Sequence, residues 1–233
     1  MKHLQALAHW VANPPVIPPA ATARAQMAIT DMLGVTLAGV REPVSQLIAK
    51  HVAATSQGNA TIIATGAKVS AADAALANAT AGHALDYDDS NFTLGGHPTV
   101  TLTPALLAIA ETHHKSGAEI LDAYVVGFEI IMRLARAMNF EHYEKGWHPT
   151  ATLGVFGVTA ACARLLRLNE TQTLHALALT ASMASGVKAN FGSMAKPLQV
   201  GYASRSGVEC ALLADAGMTA NPAALEEIGR AHV

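Results

Sequence analysis

The sequence has 233 residues, 51% of them hydrophobic, 14% charged and 5% aromatic, with a formal charge of −2 and a pI near 6.6. A chain of this length can bury one sizeable core or two small ones, and its scattered lysines and arginines form no basic stripe for a phosphate backbone, which excludes nucleic acid as an expected partner. No apolar run free of charge and proline reaches the eighteen or so residues that cross a bilayer. The segment from Met1 to Trp10 lacks the apolar core and small-residue cleavage site of a secretory signal, so the expectation is no membrane partner and a cytoplasmic location.

After a short first helix, Asn13-Pro14-Pro15-Val16-Ile17-Pro18-Pro19 is a stiff, extended connector that cannot continue a helix. A long helix is predicted over about 20–40. Met27, Asp31, Gly34, Ala38 and Gly39 alternate bulk with gaps along it, a pattern that predicts burial on most sides. Residues 43–54 read as a helix, and 60–66, between Gly58 and Gly66, as the one β-like run, a short extended pass. Helices are predicted over about 70–85, 101–115 and 117–138, then 148–168, 171–185 and 199–216, each bounded by Gly, Pro, Ser or Thr. Alanine runs such as Ala71-Ala72-Asp73-Ala74-Ala75-Leu76-Ala77 imply helices that pack closely through small side chains. The expected fold class is all-α, a multi-helix bundle-like domain. Cys162 and Cys210 sit in alanine-rich apolar segments and read as buried free thiols.

Three polar clusters interrupt this apolar chain. The first is His83-Ala84-Leu85-Asp86-Tyr87-Asp88-Asp89-Ser90, followed by Gly95-Gly96-His97-Pro98. Neighbouring carboxylates and imidazoles push each other's proton affinities apart and so make acid–base pairs. The same residues could instead form a helix-capping, loop-ordering network, or hold a metal through paired aspartates or a histidine–aspartate pair. The second cluster is Gly146-Trp147-His148-Pro149-Thr150-Ala151-Thr152, which places His148 near a helix N-terminus. There the helix dipole lowers an imidazole's proton affinity and free N–H groups attract anions, unless the histidine merely caps the helix. The third is Gly192-Ser193-Met194-Ala195-Lys196-Pro197, a lysine in a loop able to aim an ammonium into a cleft. Lys188 and His175 read as solvated surface positions, and His113, His114 and Lys115 as an exposed helix end.

In this order and at these separations the clusters resemble the MmgE/PrpD family, which includes 2-methylcitrate dehydratase and cis-aconitate decarboxylase. The marks are Asp31-Met32-Leu33-Gly34 with Gly39, Asn78-Ala79-Thr80-Ala81-Gly82-His83-Ala84-Leu85-Asp86-Tyr87-Asp88-Asp89, Gly96-His97-Pro98, Gly146-Trp147-His148-Pro149-Thr150, and Lys196 followed by Gly201. The resemblance implies a helical domain built from N-terminal and far C-terminal segments, a smaller α/β lid inserted between them, and a homodimer. Residues 1–226 correspond to the N-terminal helical part only, truncated before the lid domain. The final Glu227-Ile228-Gly229-Arg230-Ala231-His232-Val233 matches the translation of a common sequencing adaptor and is expected to be a non-biological tail.

Carried over residue by residue, the decarboxylase pocket of that family falls on Asp86, Ser90, His97, His148 and Lys196. Ser90 stands where the relative has a threonine, and the loop to His97 is one residue longer. A lysine and a tyrosine expected from the lid have no counterpart here. The implied activity is lyase chemistry, without cofactor or metal, on a small di- or tricarboxylate: dehydration of a 2-methylcitrate-like hydroxy acid or decarboxylation of a cis-aconitate-like acid. Two cysteines cannot ligate an ordinary four-iron cluster, so such chemistry would rest on side chains. His97 and His148 are then candidate proton carriers, Asp86 orients them, and Ser90 and Lys196 hold substrate carboxylates. The fragment alone is expected to be weakly active or inactive. Two other classes use the same residues: a magnesium-dependent helical enzyme built on Asp86, Asp88 and Asp89, and a non-catalytic helical interaction module.

Overall fold

The computed structural model describes residues 3–138 and 140–226, so the expected tail at 227–233 lies outside the described residues. The chain forms α1 (His3–Ala12), α2 (Pro19–Gly39), α3 (Pro43–Thr55), the strands β1 (Ala60–Thr61) and β2 (Lys68–Val69), α4 (Ala71–His83), α5 (Thr99–Thr112) and α6 (Gly117–Met138). It continues through α7 (Glu141–Glu144), α8 (Pro149–Thr152), α9 (Gly154–Leu166), α10 (Glu170–Ala181), a 3-10 turn at Lys188–Asn190, and α11 (Ala195–Asp215). The fold is all-α apart from the antiparallel pair β1–β2, in which Ala60 faces Val69. Local chemistry sets the boundaries. Pro19 and Pro43 open α2 and α3 at positions whose N–H needs no partner. Ser70 caps α4 by accepting from Asp73 N, and Asn169 with Gln172 closes a capping box on α10.

Helix α4 is the centre of the molecule. Every residue in it except Asp73 is buried, and it packs against α2, α3, α5 and α11. A helix this rich in alanine lets its neighbours approach to backbone contact. A Cβ on Gly39 would lie 2.0 Å from the Ala81 carbonyl oxygen, and one on Gly201 would lie 2.2 Å from Thr80 Oγ1 and 2.7 Å from the Leu76 carbonyl oxygen. Gly34 on α2, by contrast, has nothing within 4 Å of its missing Cβ. Two substitutions of the same kind should therefore differ in sign. Gly201→Ala is expected to destabilise by about 1–3 kcal/mol through overpacking against backbone. Gly34→Ala should stabilise by roughly 0.5–1 kcal/mol by removing unfolded-state freedom. Urea midpoints of the two variants check this directly.

Two expectations change. Helix α2 is not buried on most sides: Ala25, Met32, Thr36 and Gly39 are buried, while Met27 is 62% and Leu37 60% exposed. The buried positions share one stripe, which packs on α4, α5 and α6, and the other faces are left to solvent. The extended pass at 60–66 is the first strand and turn of the β1–β2 pair, with Gly66 supplying the left-handed corner at φ 73°. Residues 149–166 are long and apolar enough to cross a membrane, but 89% of that stretch is buried inside the helical body, where it forms core.

Candidate active site

The three polar clusters meet at one end of α4. His83 is the last residue of that helix, so the central helix delivers its ring into the interior. The chain then turns sharply at Asp86, a non-glycine residue in the left-handed region at φ 58°. Asp88 turns back inward, and its fully buried carboxylate accepts from His83 Nδ1 at 2.8 and 3.0 Å. The following loop is closed by pairing of Asn91 with Gly96. His97 donates its backbone N–H to Thr150 Oγ1 at 3.0 Å, and a Cβ on Gly96 would lie 2.6 Å from the same oxygen. That contact explains why a Gly-His-Pro and a His-Pro-Thr motif occur together: the first docks on the threonine of the second. His148 itself is fixed by its N–H to the Gly186 carbonyl, 3.1 Å.

Asp86 Oδ1 is the point on which these elements converge. It accepts from Lys196 Nζ at 2.5 Å and lies 3.6 Å from His97 Nε2 and 3.9 Å from His83 Nε2. His97 Nδ1 faces the backbone oxygen of Asp88 at 3.2 Å and its carboxylate at 3.4 Å, so Asp88 anchors both imidazoles from behind. The His83 ring stacks on His148 at 5.9 Å and meets His97 edge-on at 4.9 Å. Phe191 closes the other side of His148 at 4.8 Å and sits under the Lys196 ammonium at 5.2 Å. In front lies a cleft of about 620 Å³ lined by His83, Asp86, Lys196, Phe191, Met194 and Glu42.

The electrostatics divide the groups. Burial lowers the His148 pKa to about 3, and the positive potentials of His83, Lys196 and His97 add to the effect. The sequence had assigned this shift to a helix dipole, but desolvation is the larger cause. His148 is therefore neutral near pH 7. With the Gln199 amide 3.4 Å from Nδ1, the ring's proton belongs on Nε2. Asp86 feels a raising effect from burial, outweighed by the hydrogen bond and charge of Lys196, which hold its carboxyl below the usual range. Each partner of this pair carries a local cost. A left-handed non-glycine residue costs roughly 1–2 kcal/mol, and an ammonium at a helix N-terminus opposes the dipole by about 0.3–1 kcal/mol. Such local costs collect where a site needs a fixed geometry.

Several candidates move relative to expectation. Lys196 is not in a loop but in the first turn of α11, because Pro197 falls where a helix needs no N–H donor. Asp89 takes the loop-ordering role that the sequence allowed the whole cluster: it accepts from Thr99 N at 3.1 Å and Thr99 Oγ1 at 2.6 Å, at the start of α5. Asp86, Asp88 and Asp89 thus have three different partners and form no shared magnesium site. Ligand atoms of His83, Asp86, Asp88 and His97 do lie within 4.8 Å of one another. However, the Lys196 ammonium already supplies the cation at Asp86, and His83 occupies the Asp88 carboxylate. Ser90 is exposed and enters none of the bonds of the cluster. Lys188 is more than a solvated position, since its Nζ lies 3.4 Å from the Tyr143 ring centre. His175 Nδ1 accepts from Ala220 N at 3.2 Å and ties down the C-terminal segment. His113 and His114 are exposed as expected. Cys162 and Cys210 are free and buried, and burial pushes the Cys210 thiol up to about 11.

His83 and Asp88 were named in the first polar cluster, but the sequence reading gave them no place in the lyase pocket. Their signal was present: a histidine ending a helix with an otherwise apolar, alanine-rich face, with a carboxylate five residues on.

The profile of the MmgE/PrpD N-terminal domain matches residues 5–229. The chain is similar to cis-aconitate decarboxylase of Homo sapiens, 35% identical over 66% of this chain and 33% of that protein. It is 33% identical to the Mus musculus protein of the same name, over 66% of this chain and 32% of that one. Cis-aconitate decarboxylase of Aspergillus terreus is 30% identical over 94% of this chain and 47% of its own length. The chain thus spans between a third and about half of the curated relatives it matches.

Proposed function

The chain belongs to the MmgE/PrpD family, and from that premise we propose that it supplies the helical half of the active site of a cofactor-free lyase that decarboxylates a small, cis-aconitate-like tricarboxylate. The observation that carries this reading is the convergence of Lys196 Nζ and the Nε2 atoms of His97 and His83 on one carboxylate oxygen, that of Asp86. A site that surrounds a carboxylate oxygen in this way is suited to a polyanionic substrate. The names of the relatives favour decarboxylation over dehydration.

When carbon dioxide leaves, the bond from its carbon to the substrate breaks and the electron pair stays on the substrate, spread toward a neighbouring carboxylate. Lys196 and the neutral Nε2–H of His148 stabilise that developing charge. His97, whose side chain is 19% exposed beside Asp86, gives its Nε2 proton to the carbon and regains one from solvent. Asp86 orients His97 and Lys196, Asp88 holds His97 from behind, and the exposed Ser90 is assigned to an outer carboxylate. The substrate is a small polycarboxylate, and a homodimer of the full gene product is part of the same proposal.

The test is turnover of cis-aconitate, citrate and 2-methylcitrate by the full product of the gene, in the presence of a chelator. Carbon dioxide release from cis-aconitate that survives chelation is the expected result. Loss of water from either hydroxy acid would move the reaction to dehydration. No turnover by a demonstrably folded protein would overturn the lyase reading and favour a non-catalytic module.

A further inference from the structure

His83 Nε2 has no hydrogen-bond partner although the side chain is fully buried. Buried polar atoms are nearly always paired, so an orphan at a cleft asks for a ligand atom. Of the four orphaned side-chain atoms among the described residues, this one alone belongs to a residue that lines the cleft. The ring cannot turn to satisfy itself. Nδ1 is held by both oxygens of Asp88, and the faces and edge are packed on His148 and His97. Nε2 therefore stays aimed across 3.9 Å at the oxygen of Asp86, beyond hydrogen-bond reach. Asp88 is a buried carboxylate whose side-chain partners are two imidazoles, and a buried anion is tolerated when positive charge is shared with it. With the Asp88 carboxylate accepting at Nδ1, a substrate carboxylate placed at Nε2 would make the ring a two-sided donor between two anions.

We propose that His83 is a further substrate-contacting residue of this site, its Nε2–H donating to a carboxylate oxygen of the bound tricarboxylate while Asp88 acts as its positioning residue. The inference rests on the lyase reading above and deepens it. Lys196 meets the substrate from the helix α11 side and His83 from the end of α4, so two carboxylates of one small acid are held by two elements that α4 packing keeps at fixed separation. Such two-point holding selects polycarboxylates over monocarboxylates.

The full gene product carrying His83→Gln or Asp88→Asn is compared with wild type using cis-aconitate, and the wild type, labelled with ¹⁵N at histidine, is titrated with tricarballylate, a saturated tricarboxylate. The expected result is a KM raised about tenfold or more in both variants, with a much smaller fall in kcat. In the wild type, the His83 Nε2 resonance should shift as tricarballylate saturates. A purely structural role would change thermal stability without splitting KM from kcat and without a ligand-dependent shift at Nε2. A folded His83→Gln protein with KM within threefold of wild type overturns the proposal, as does an unmoved Nε2 resonance at saturation if the variants fail to fold. Wild type that neither turns over cis-aconitate nor binds tricarballylate overturns the lyase reading, and this inference with it.

Discussion

In the full gene product, His97→Gln is expected to lower kcat by about two orders of magnitude or more, whereas His148→Gln should leave kcat within about tenfold of wild type. The two histidines come from equally conspicuous motifs, and only their surroundings separate them. A proton donor must hold a proton near working pH and must reach solvent to regain it. His97 has the Asp88 carboxylate at its Nδ1 and a side chain 19% exposed, which gives its ring a path to solvent. His148 meets neither, because burial lowers its pKa to about 3. Its contribution is a neutral N–H, which a glutamine amide can partly replace. The same shift has a consequence for folding. A histidine whose pKa is lower in the folded than in the unfolded state binds fewer protons when folded, so its stability contribution is complete above about pH 6.5 and is lost as pH falls toward 3. Wild type should therefore lose more stability than His148→Gln between pH 7.5 and pH 5, measured as urea midpoints. A hundredfold loss of kcat in His148→Gln would restore it as the proton carrier.

What could be read from the sequence was what depends on local pattern. The alanine run of α4, the proline starts of α2 and α3, and the break at Ser116 before α6 each follow from backbone chemistry within a few residues. The clustering of His97, His148 and Lys196 was legible through family resemblance, and the contact between Gly96 and Thr150 shows the packing behind it. What could not be read depends on long-range placement. Asp86, Asp88 and Asp89 are chemically alike in sequence, yet one faces the cleft, one is buried against His83 and one caps α5, because a single left-handed turn at Asp86 sends the next residues in different directions. The exposed face of α2 was misread because its small residues look the same whether a neighbour covers them or not.

Lys196→Met in the full gene product is expected to lower kcat/KM for the tricarboxylate by about two to three orders of magnitude. Methionine preserves length and apolar body while removing the ammonium that pairs with Asp86. The loss has two parts. Substrate carboxylates lose a charged donor, and Asp86 loses the partner that holds its carboxyl below the usual range. Protonation of Asp86 should then occur at higher pH, and the acid limb of the activity profile should move upward. Folding should change little, because the Asp86 side chain is 55% exposed and its pairing is screened by solvent. If Lys196 and Asp86 act as one unit, Asp86→Asn added to Lys196→Met will cost much less than the product of the two single losses. Full multiplicativity would show that Asp86 works on the histidines alone, and a Lys196→Met enzyme within threefold of wild type would remove the ammonium from the chemistry.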